Sequence, residues 1–241
     1  MPVFSDPAAL RQVALFEDLT LDQLSHLNGL LHRKVFSAGA GVMMEEQPGE
    51  VAYVILSGTV KIYIEGEEET DVILAVLGHG EVVGEMSLVD SLGRSASVVA
   101  LEDSTLLWID RTAFWECLRT IPLLTFNLTR ILSRRVRLAN VQVHALATLD
   151  VPGRVARQLL AFAQEYGREA PGGGKLIPIR LTQTDLAGLV GASRVRVNQA
   201  LVQWKRRKII SVDDRHRITV HNVAPLARLC DQPVPLTPRT A

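Results

Sequence analysis

The spacing of apolar residues predicts segments of different kinds along the chain. Apolar residues recur every three or four positions over 7–32, which predicts short amphipathic helices. Between Lys34 and Ile109, short runs alternate with polar residues or are rich in β-branched residues, and glycines separate them. This pattern predicts an antiparallel sandwich, barrel or roll. The predicted strands are 51–56, 59–64, 71–76, 96–100 and 105–109.

Helical spacing returns over 111–120 and again after Pro122, where a long helix is predicted to run to Thr148. This helix carries an apolar stripe made of Leu128, Leu132, Val136, Ala139, Val143 and Leu146. The stripe is long enough for a coiled-coil partner, and packing on the chain's own β domain is the alternative. Asp150, ahead of Pro152, is predicted to cap the next helix and to mark a domain boundary.

Charge divides the chain in two. Residues 1–150 contain 11 Lys and Arg against 20 Asp and Glu, a net −9, whereas residues 151–241 contain 15 against 6, a net +9. A strongly basic C-terminal domain indicates a polyanionic partner, which the acidic half would repel. Two cysteines without metal-ligand spacing, Cys117 and Cys230, indicate structural thiols in a reducing cytoplasm. We expect neither a leader peptide nor a membrane span.

Residues 182–205 have the spacing of a helix-turn-helix. Thr182 and Asp185 form a capping box that opens one helix, and Gly191 allows a sharp turn before Ser193 caps a second helix. A generic pair of antiparallel helices is the alternative for this spacing. The basic surroundings, including the run 205–208, favour DNA binding, although such a run also occurs on solvated surfaces.

The N-terminal, outward-facing end of the second helix is expected to enter the major groove. Arginine pairs there with guanine, asparagine or glutamine with adenine, and valine contacts only a thymine methyl. Residues 209–220 are predicted to form a β-hairpin wing near phosphates. The predicted DNA-binding residues are Thr182, Ser193, Arg194, Val195, Arg196, Asn198, Gln199, Lys205, Arg215 and Arg217.

The order of these parts resembles the CRP/FNR family of bacterial regulators over nearly the whole chain, and most closely its cyclic-AMP receptor branch. Three segments carry the resemblance: Gly84-Glu-Met-Ser-Leu88 with Arg94-Ser-Ala-Ser97, Leu149-Asp-Val-Pro-Gly-Arg154, and Val190-Gly-Ala-Ser-Arg194. It implies an α+β fold with an N-terminal antiparallel β-roll, a long dimerisation helix and a C-terminal winged helix-turn-helix. It also implies a homodimer on a near-palindromic operator and a contact with RNA polymerase through the loop 165–174.

This resemblance and the patterns above divide the chain into four parts. They are the ligand-binding domain 1–122, the dimerisation helix 123–149, the DNA-binding domain 150–230 and a mobile tail 231–241.

The first of these segments matches the family's phosphate-binding cassette. Glycine at 84 lets backbone amides approach an anion, and Arg94 and Ser95 supply further donors to a phosphate. Glu85 is suited to accept a hydrogen bond from a ribose hydroxyl, so the combination describes a cyclic nucleotide. Outside this context, Glu85 and Arg94 would be read as an ordinary ion pair. The predicted ligand-binding residues are Gly84, Glu85, Met86, Ser87, Arg94, Ser95 and Asn140.

The chain departs from the cyclic-AMP receptor pattern at several positions. The hydroxyl pair that meets adenine falls on Ala139 and Asn140, of which only the asparagine side chain forms hydrogen bonds. In the second helix of the motif, Val195 replaces a glutamate and Gln199 an arginine, so the familiar operator is not assumed. The N-terminal cysteine cluster of the oxygen-sensing branch is absent, which disfavours an iron–sulfur sensor.

The leading hypothesis is a homodimeric activator that cyclic AMP controls as an allosteric ligand. One rival is a regulator of the same fold that binds DNA without this ligand or with another effector. A second rival, a nucleotide-processing enzyme, lacks support, because no catalytic constellation, metal cluster or catalytic cofactor motif is present in the sequence.

Overall fold

The computed structural model describes residues 3–66 and 71–230. The chain forms two compact units, Met1–Ala139 and Asn140–Ala241. The division falls inside the long helix, whereas the sequence pattern places a boundary at Asp150. The predicted mobile tail, 231–241, lies outside the described residues.

The N-terminal unit begins with 3-10 turns in the first part of the region 7–32, for which the spacing predicts short amphipathic helices. These turns span Pro7–Gln12 and Ala14–Phe16, and Val13 between them is extended. Each segment is too short for a stable α-helix, and the tighter turns bury Leu10 and Phe16. The first α-helix, α1, is Leu21–Leu30, and Thr20 caps it through a complete capping box.

Within residues 31–66 and 71–110, eight strands form two four-stranded antiparallel sheets. They are β1 (His32–Phe36), β2 (Gly41–Met43), β3 (Val51–Ser57), β4 (Val60–Ile64), β5 (Val72–Leu77), β6 (Val82–Val83), β7 (Ser97–Ala100) and β8 (Ser104–Asp110). The strand orders are β1-β8-β3-β6 and β2-β7-β4-β5. All five predicted strands are present. The sequence pattern missed β1, β2 and β6, because β2 and β6 are very short and β1 shows no alternation of buried and exposed residues.

Three helices accompany these sheets. Helix α2 (Glu85–Asp90) lies between β6 and β7, and α3 (Arg111–Thr120) leads into α4 (Pro122–Thr148). Phe114 of α3 and Leu124 of α4 are buried in one apolar core together with Leu107 of β8. The side chain of Asn127 donates to the carbonyl oxygens of Leu15 and Glu17, at 3.2 and 2.8 Å. These contacts fix the first half of α4 on its own β domain.

The two halves of the apolar stripe of α4 have different surroundings. Leu128 is buried in the core of the N-terminal unit, as the intramolecular alternative expects, and Leu132 packs against the same core. By contrast, Val136 is 60% exposed and Val143 is 66% exposed. Only the second half of the stripe offers apolar side chains at the surface.

The C-terminal unit contains the remaining elements. They are α5 (Val151–Glu165), β9 (Arg168–Glu169), β10 (Lys175–Ile177), α6 (Gln183–Val190), α7 (Arg194–Arg206), β11 (Ile210–Val212), β12 (Ile218–Val220) and α8 (Val223–Leu229). Asp150 caps α5 as predicted, since its carboxylate accepts a hydrogen bond of 2.8 Å from the amide of Gly153. The strands form one antiparallel sheet in the order β11-β12-β10-β9, and β11 and β12 are the predicted wing.

Both cysteines are buried, and burial raises the pKa of the Cys117 thiol to about 11. A thiol with so high a pKa is a weak nucleophile at neutral pH. Over residues 3–66 and 71–230, the helices are too short or too polar to cross a bilayer.

Candidate functional site

The predicted cassette begins where β6 ends. Gly84 has a φ of 81°, a left-handed conformation that glycine adopts without strain. A Cβ atom at this position would lie 2.7 Å from Nη1 of Arg94 and 2.9 Å from Cε of Met43. Glycine is therefore needed here both for the backbone turn and for the close approach of the arginine.

Arg94 lies against this turn and is only 6% exposed. Its Nη1 donates to the carbonyl oxygen of Gly84 at 2.9 Å, and its Nη2 donates to that of Val51 at 2.7 Å. A guanidinium group has five N–H donors, so these bonds leave donors for an anion. Burial lowers the pKa of Arg94 from its ordinary value, so a nearby negative charge would compensate an unfavourable desolvation.

Glu85, the first residue of α2, is 1% exposed. Its Oε1 accepts a hydrogen bond from Nη1 of Arg135 on α4, and Nη2 of that arginine donates to the carbonyl oxygen of Val82. The other oxygen, Oε2, is buried without a hydrogen-bond partner among the described residues. Burial raises the pKa of Glu85, and the charge of Arg135 opposes this shift without cancelling it.

The structure brings Gly84, Glu85 and Arg94 together. The other predicted ligand-binding residues have different surroundings. Ser87 is buried, and its side chain lies against the backbone of Gly49. Met86, Ser95 and Asn140 are exposed, and Asn140 belongs to the C-terminal unit.

Arg135 is a site residue that the sequence pattern did not reveal. It lies 50 positions after Glu85, beside Arg134, whose Nη2 is 2.5 Å from a carboxylate oxygen of Glu81. Two adjacent arginines on the long helix of an otherwise acidic half were the available signal. Only the tertiary structure shows that these arginines meet Glu81 and Glu85.

The helix-turn-helix forms as predicted. The carboxylate of Asp185 accepts from the amide of Thr182 at 2.9 Å and from its hydroxyl at 2.6 Å. Gly191 ends α6 in a left-handed conformation, and the hydroxyl of Ser193 accepts from the amide of Arg196 to cap α7. Thr182 and Ser193 thus have identified structural roles at the two helix starts.

Helix α7 has one buried and one exposed face. The buried face consists of Val197, Ala200, Leu201 and Trp204. Arg194, Arg196 and Gln199 are exposed, and Val195 is 66% exposed despite its apolar side chain. Asn198 is half-buried, and its Oδ1 accepts a hydrogen bond of 3.0 Å from Nε2 of Gln183 on α6. This bond ties the two helices of the motif together and leaves the amide nitrogen of Asn198 as a donor.

The two wing arginines differ in their surroundings. The Nε of Arg217 donates to Oδ2 of Asp213 at 2.7 Å, and the backbone amide of Arg217 donates to Oδ1 of the same carboxylate at 2.8 Å. These bonds, with the backbone bond first, lower the pKa of Asp213. Arg215 lies between Asp213 and Arg217 in the sequence and is exposed at the turn. Lys205, the other predicted phosphate contact, is exposed near the end of α7.

Two family profiles match the chain. Residues 33–120 match the cyclic nucleotide-binding domain, and residues 153–229 match the Crp-like helix-turn-helix domain. These ranges contain the cassette and the helix-turn-helix described above.

Known transcription regulators are similar to this chain over most of its length. The CRP-like cAMP-activated global transcriptional regulator of Mycobacterium tuberculosis is 33% identical over 206 residues, which are 86% of this chain and 92% of the relative. The cyclic AMP receptor protein of Thermus thermophilus is 34% identical over 190 residues, which are 78% of this chain and 83% of the relative. The c-di-GMP responsive global regulator CLP of Xanthomonas campestris has the same fold, with a TM-score of 0.72 at 22% identity over 84% of this chain and all of the solved one.

Proposed function

Because the chain belongs to the CRP/FNR family of ligand-responsive, DNA-binding transcription regulators, we propose that cyclic AMP is its activating effector. We further propose that it acts as a homodimer on a near-palindromic operator. The family assignment makes it a regulator and not an enzyme. We therefore propose an effector, the residues that bind it and a dimer contact.

The observation that carries the proposal is the unsatisfied Oε2 of Glu85. A buried carboxylate oxygen without a donor costs free energy, and a hydroxyl group of a ligand would remove that cost. Arg94, which contacts the residue before Glu85, would hold an anion. A cyclic nucleotide supplies both groups, a ribose 2′-hydroxyl and a cyclic phosphate, on one small molecule.

Cyclic AMP is favoured among cyclic nucleotides by the similar proteins of Mycobacterium tuberculosis and Thermus thermophilus, since both are named for it. Asn140 both donates and accepts hydrogen bonds, as an adenine edge requires. The fold alone does not fix the effector, because the Xanthomonas campestris regulator responds to c-di-GMP. A regulator of this fold with another effector is therefore the second candidate.

The same carboxylate connects the ligand site to α4. Glu85 accepts from Arg135 through Oε1, so a hydroxyl bound at Oε2 would share its acceptor with the long helix. A ligand shifts a conformational equilibrium only if it binds one conformation more tightly than the other. A contact with a carboxylate that also holds α4 would make ligand binding depend on the position of this helix. We propose that cyclic AMP in this way biases the spacing of the two recognition helices α7 in the dimer.

We propose that α7 reads DNA through its exposed first turn. Arg194 would pair with guanine and Gln199 with adenine, while Lys205 and Arg215 would contact phosphates. The net charge of +9 over residues 151–241 supplies the general attraction to DNA. The exposed turn that contains Gly172 is our proposed contact with RNA polymerase.

Isothermal titration with cyclic AMP, and with 2′-deoxy-cyclic AMP as the matched ligand, tests the proposal. Losing the hydroxyl that donates to Glu85 is expected to cost about 2 kcal/mol, or about thirtyfold in affinity. Arg94→Ala is expected to weaken both ligands by at least that factor. Arg33→Ala, which removes an exposed arginine of β1, is the control and is expected to bind like the wild type.

Binding to an operator selected from random DNA, with and without cyclic AMP, completes the test. Cyclic AMP is expected to raise the affinity for the operator. No heat with cyclic AMP, combined with unchanged DNA affinity, would favour the second candidate. In that case the same titrations with cyclic GMP and c-di-GMP identify the effector.

A further inference from the structure

Helix α2 is too short to hold its own position. It contains six residues, and residues in left-handed conformations border it on both sides, Gly84 with φ 81° and Ser91 with φ 60°. A helix of about one and a half turns is not stable without tertiary contacts. The placement of Glu85 at its start therefore depends on what holds the rest of the helix.

Two side chains of α3 hold the last turn of α2. Nη2 of Arg111 donates to the carbonyl oxygen of Ser87 at 3.0 Å, and Nη1 donates to the hydroxyl of Ser91 at 3.0 Å. Nε1 of Trp115 donates to the carbonyl oxygen of Leu88 at 2.8 Å. Arg111 and Trp115 are four residues apart and so lie on one face of α3. Together they satisfy two successive carbonyls that a helix end leaves without intrahelical partners.

Arg111 also fixes the surface on which α2 packs. Its Nη2 donates to the carbonyl oxygen of Gly49 at 2.7 Å, in addition to that of Ser87. A Cβ atom at Gly49 would lie only 2.2 Å from Cβ of Ser87, so the two backbones are in close contact. One guanidinium group thus joins both sides of this contact.

Burying part of the Arg111 side chain costs free energy. Its Nε is buried without a hydrogen-bond partner among the described residues. A buried N–H donor without a partner costs free energy, although the residue as a whole is only half-buried. Its hydrogen bonds to Ser87 and Ser91 suggest that its role is to place α2.

We propose that Arg111 and Trp115 are positioning residues for the cyclic nucleotide site. They hold the C-terminal turn of α2, and so keep Glu85 where its Oε2 meets the ribose hydroxyl. Among the described contacts, neither residue donates to Glu85 or to Arg94, so their effect on the ligand is indirect. This inference rests on the proposed function and adds to it two residues that lie outside the cassette.

The experiment compares cyclic AMP with 2′-deoxy-cyclic AMP by titration calorimetry on full-length variants. Trp115→Phe removes the N–H donor and keeps an aromatic ring, while Arg111→Gln removes the guanidinium. Each is expected to reduce the preference for the hydroxylated ligand by about fivefold, because Glu85 is displaced. Arg33→Gln, which changes an exposed arginine of β1, is expected to keep the full preference.

The ratio between the two ligands separates positioning from general destabilisation. A variant that is merely less stable loses affinity for both ligands equally and keeps the ratio, and this result overturns the inference. An unchanged ratio in folded Trp115→Phe overturns it as well, even when Arg111→Gln does not fold. If the wild type binds cyclic AMP but does not discriminate between the ligands, the proposed role of Glu85 fails first, and the two failures are distinguishable.

Discussion

Glu85 combines near-complete burial with a carboxylate that is only half satisfied. Burial raises its pKa above the ordinary value, and Arg135 opposes the shift only in part. A carboxyl group whose pKa is raised on folding stabilises the fold below its unfolded pKa. That contribution is lost as the pH rises through the folded pKa. At neutral pH, an ionised Glu85 is therefore a cost in stability that the ligand-free protein carries for the sake of its binding site.

Glu85→Gln tests this cost directly. In the absence of ligand, the Gln variant is expected to gain stability relative to the wild type as the pH rises from 4.5, the ordinary pKa of the group. Thermal melting between about pH 4.5 and 8 measures the difference, with the exposed Glu116→Gln as control. A difference that stays constant over this range would show that the pKa of Glu85 is not raised.

Two exposed arginines of the C-terminal unit are expected to affect DNA binding differently. Arg194→Ala should flatten the preference at one base pair of each half-site, since a bidentate pair with guanine is worth about 1–3 kcal/mol. Arg215→Ala should weaken all sequences about equally and reduce the salt slope by about one unit. Arg217 is a poorer choice for this test, because its bonds to Asp213 shape the wing itself.

Competition binding to a set of substituted operators, at two salt concentrations, measures both effects. The proposed orientation of α7 on DNA would be wrong if Arg194→Ala kept the base preference and Arg215→Ala lost it.

At the residue scale, sequence alone identifies the parts of the site that are close along the chain. Gly84, Glu85 and Arg94 fall within one short motif, and the structure places them together. Arg135 comes from a distant helix, and no local pattern connects it to Glu85. Ser87 belongs to the same motif and its side chain lies against Gly49, so its contact with a ligand stays a prediction.

At the scale of elements, the second half of α4 exposes apolar side chains that no contact among the described residues accounts for. Val136 and Val143 are exposed, and they continue the stripe whose first residue, Leu128, is buried in the N-terminal core. Exposed apolar side chains at these spacings are typical of a helix that pairs with a second copy. This agrees with the proposed homodimer.

Replacing Val136 and Val143 together by Glu is expected to yield monomers, because like charges would meet across the seam. Sedimentation velocity at micromolar concentration measures the change. Phe126→Glu also replaces an exposed apolar side chain of α4 by a carboxylate, but outside the stripe, and this variant is expected to remain dimeric. A double variant that still sediments as a dimer would place the interface elsewhere.

Elements with a visible period or a clear turn could be predicted from the sequence, including the short wing strands β11 and β12, whereas β1, β2 and β6 could not. Helices α3 and α4 and the strands β3, β4, β5, β7 and β8 show a helical period or an apolar, β-branched run, whereas β1 shows no alternation of buried and exposed residues. Strands β6 and β9 contain two residues each, so tertiary pairing defines them. The spacing predicts short amphipathic helices over 7–32, and the structure forms an α-helix over Leu21–Leu30 but only 3-10 turns before it, where Val13 is extended.

At the scale of the whole molecule, one continuous helix belongs to both compact units. The sequence could not show this division, because the helical period continues unchanged past Ala139. If cyclic AMP raises the affinity for the operator, DNA must raise the affinity for cyclic AMP by the same factor. Titrations in both orders measure the two factors, and a factor of one in each would show that the sites are not coupled.

The opposite charges of the two halves also determine how the protein behaves without DNA. The net charges of −9 and +9 cancel to zero, with an isoelectric point near 7.0. Near neutral pH the molecules therefore do not repel one another, and the acidic part of one attracts the basic part of the next. We expect a solubility minimum near pH 7 in dilute buffer, and salt should dissolve the precipitate because it screens this attraction. A short duplex should dissolve it too, by covering the basic half and giving every complex a negative charge.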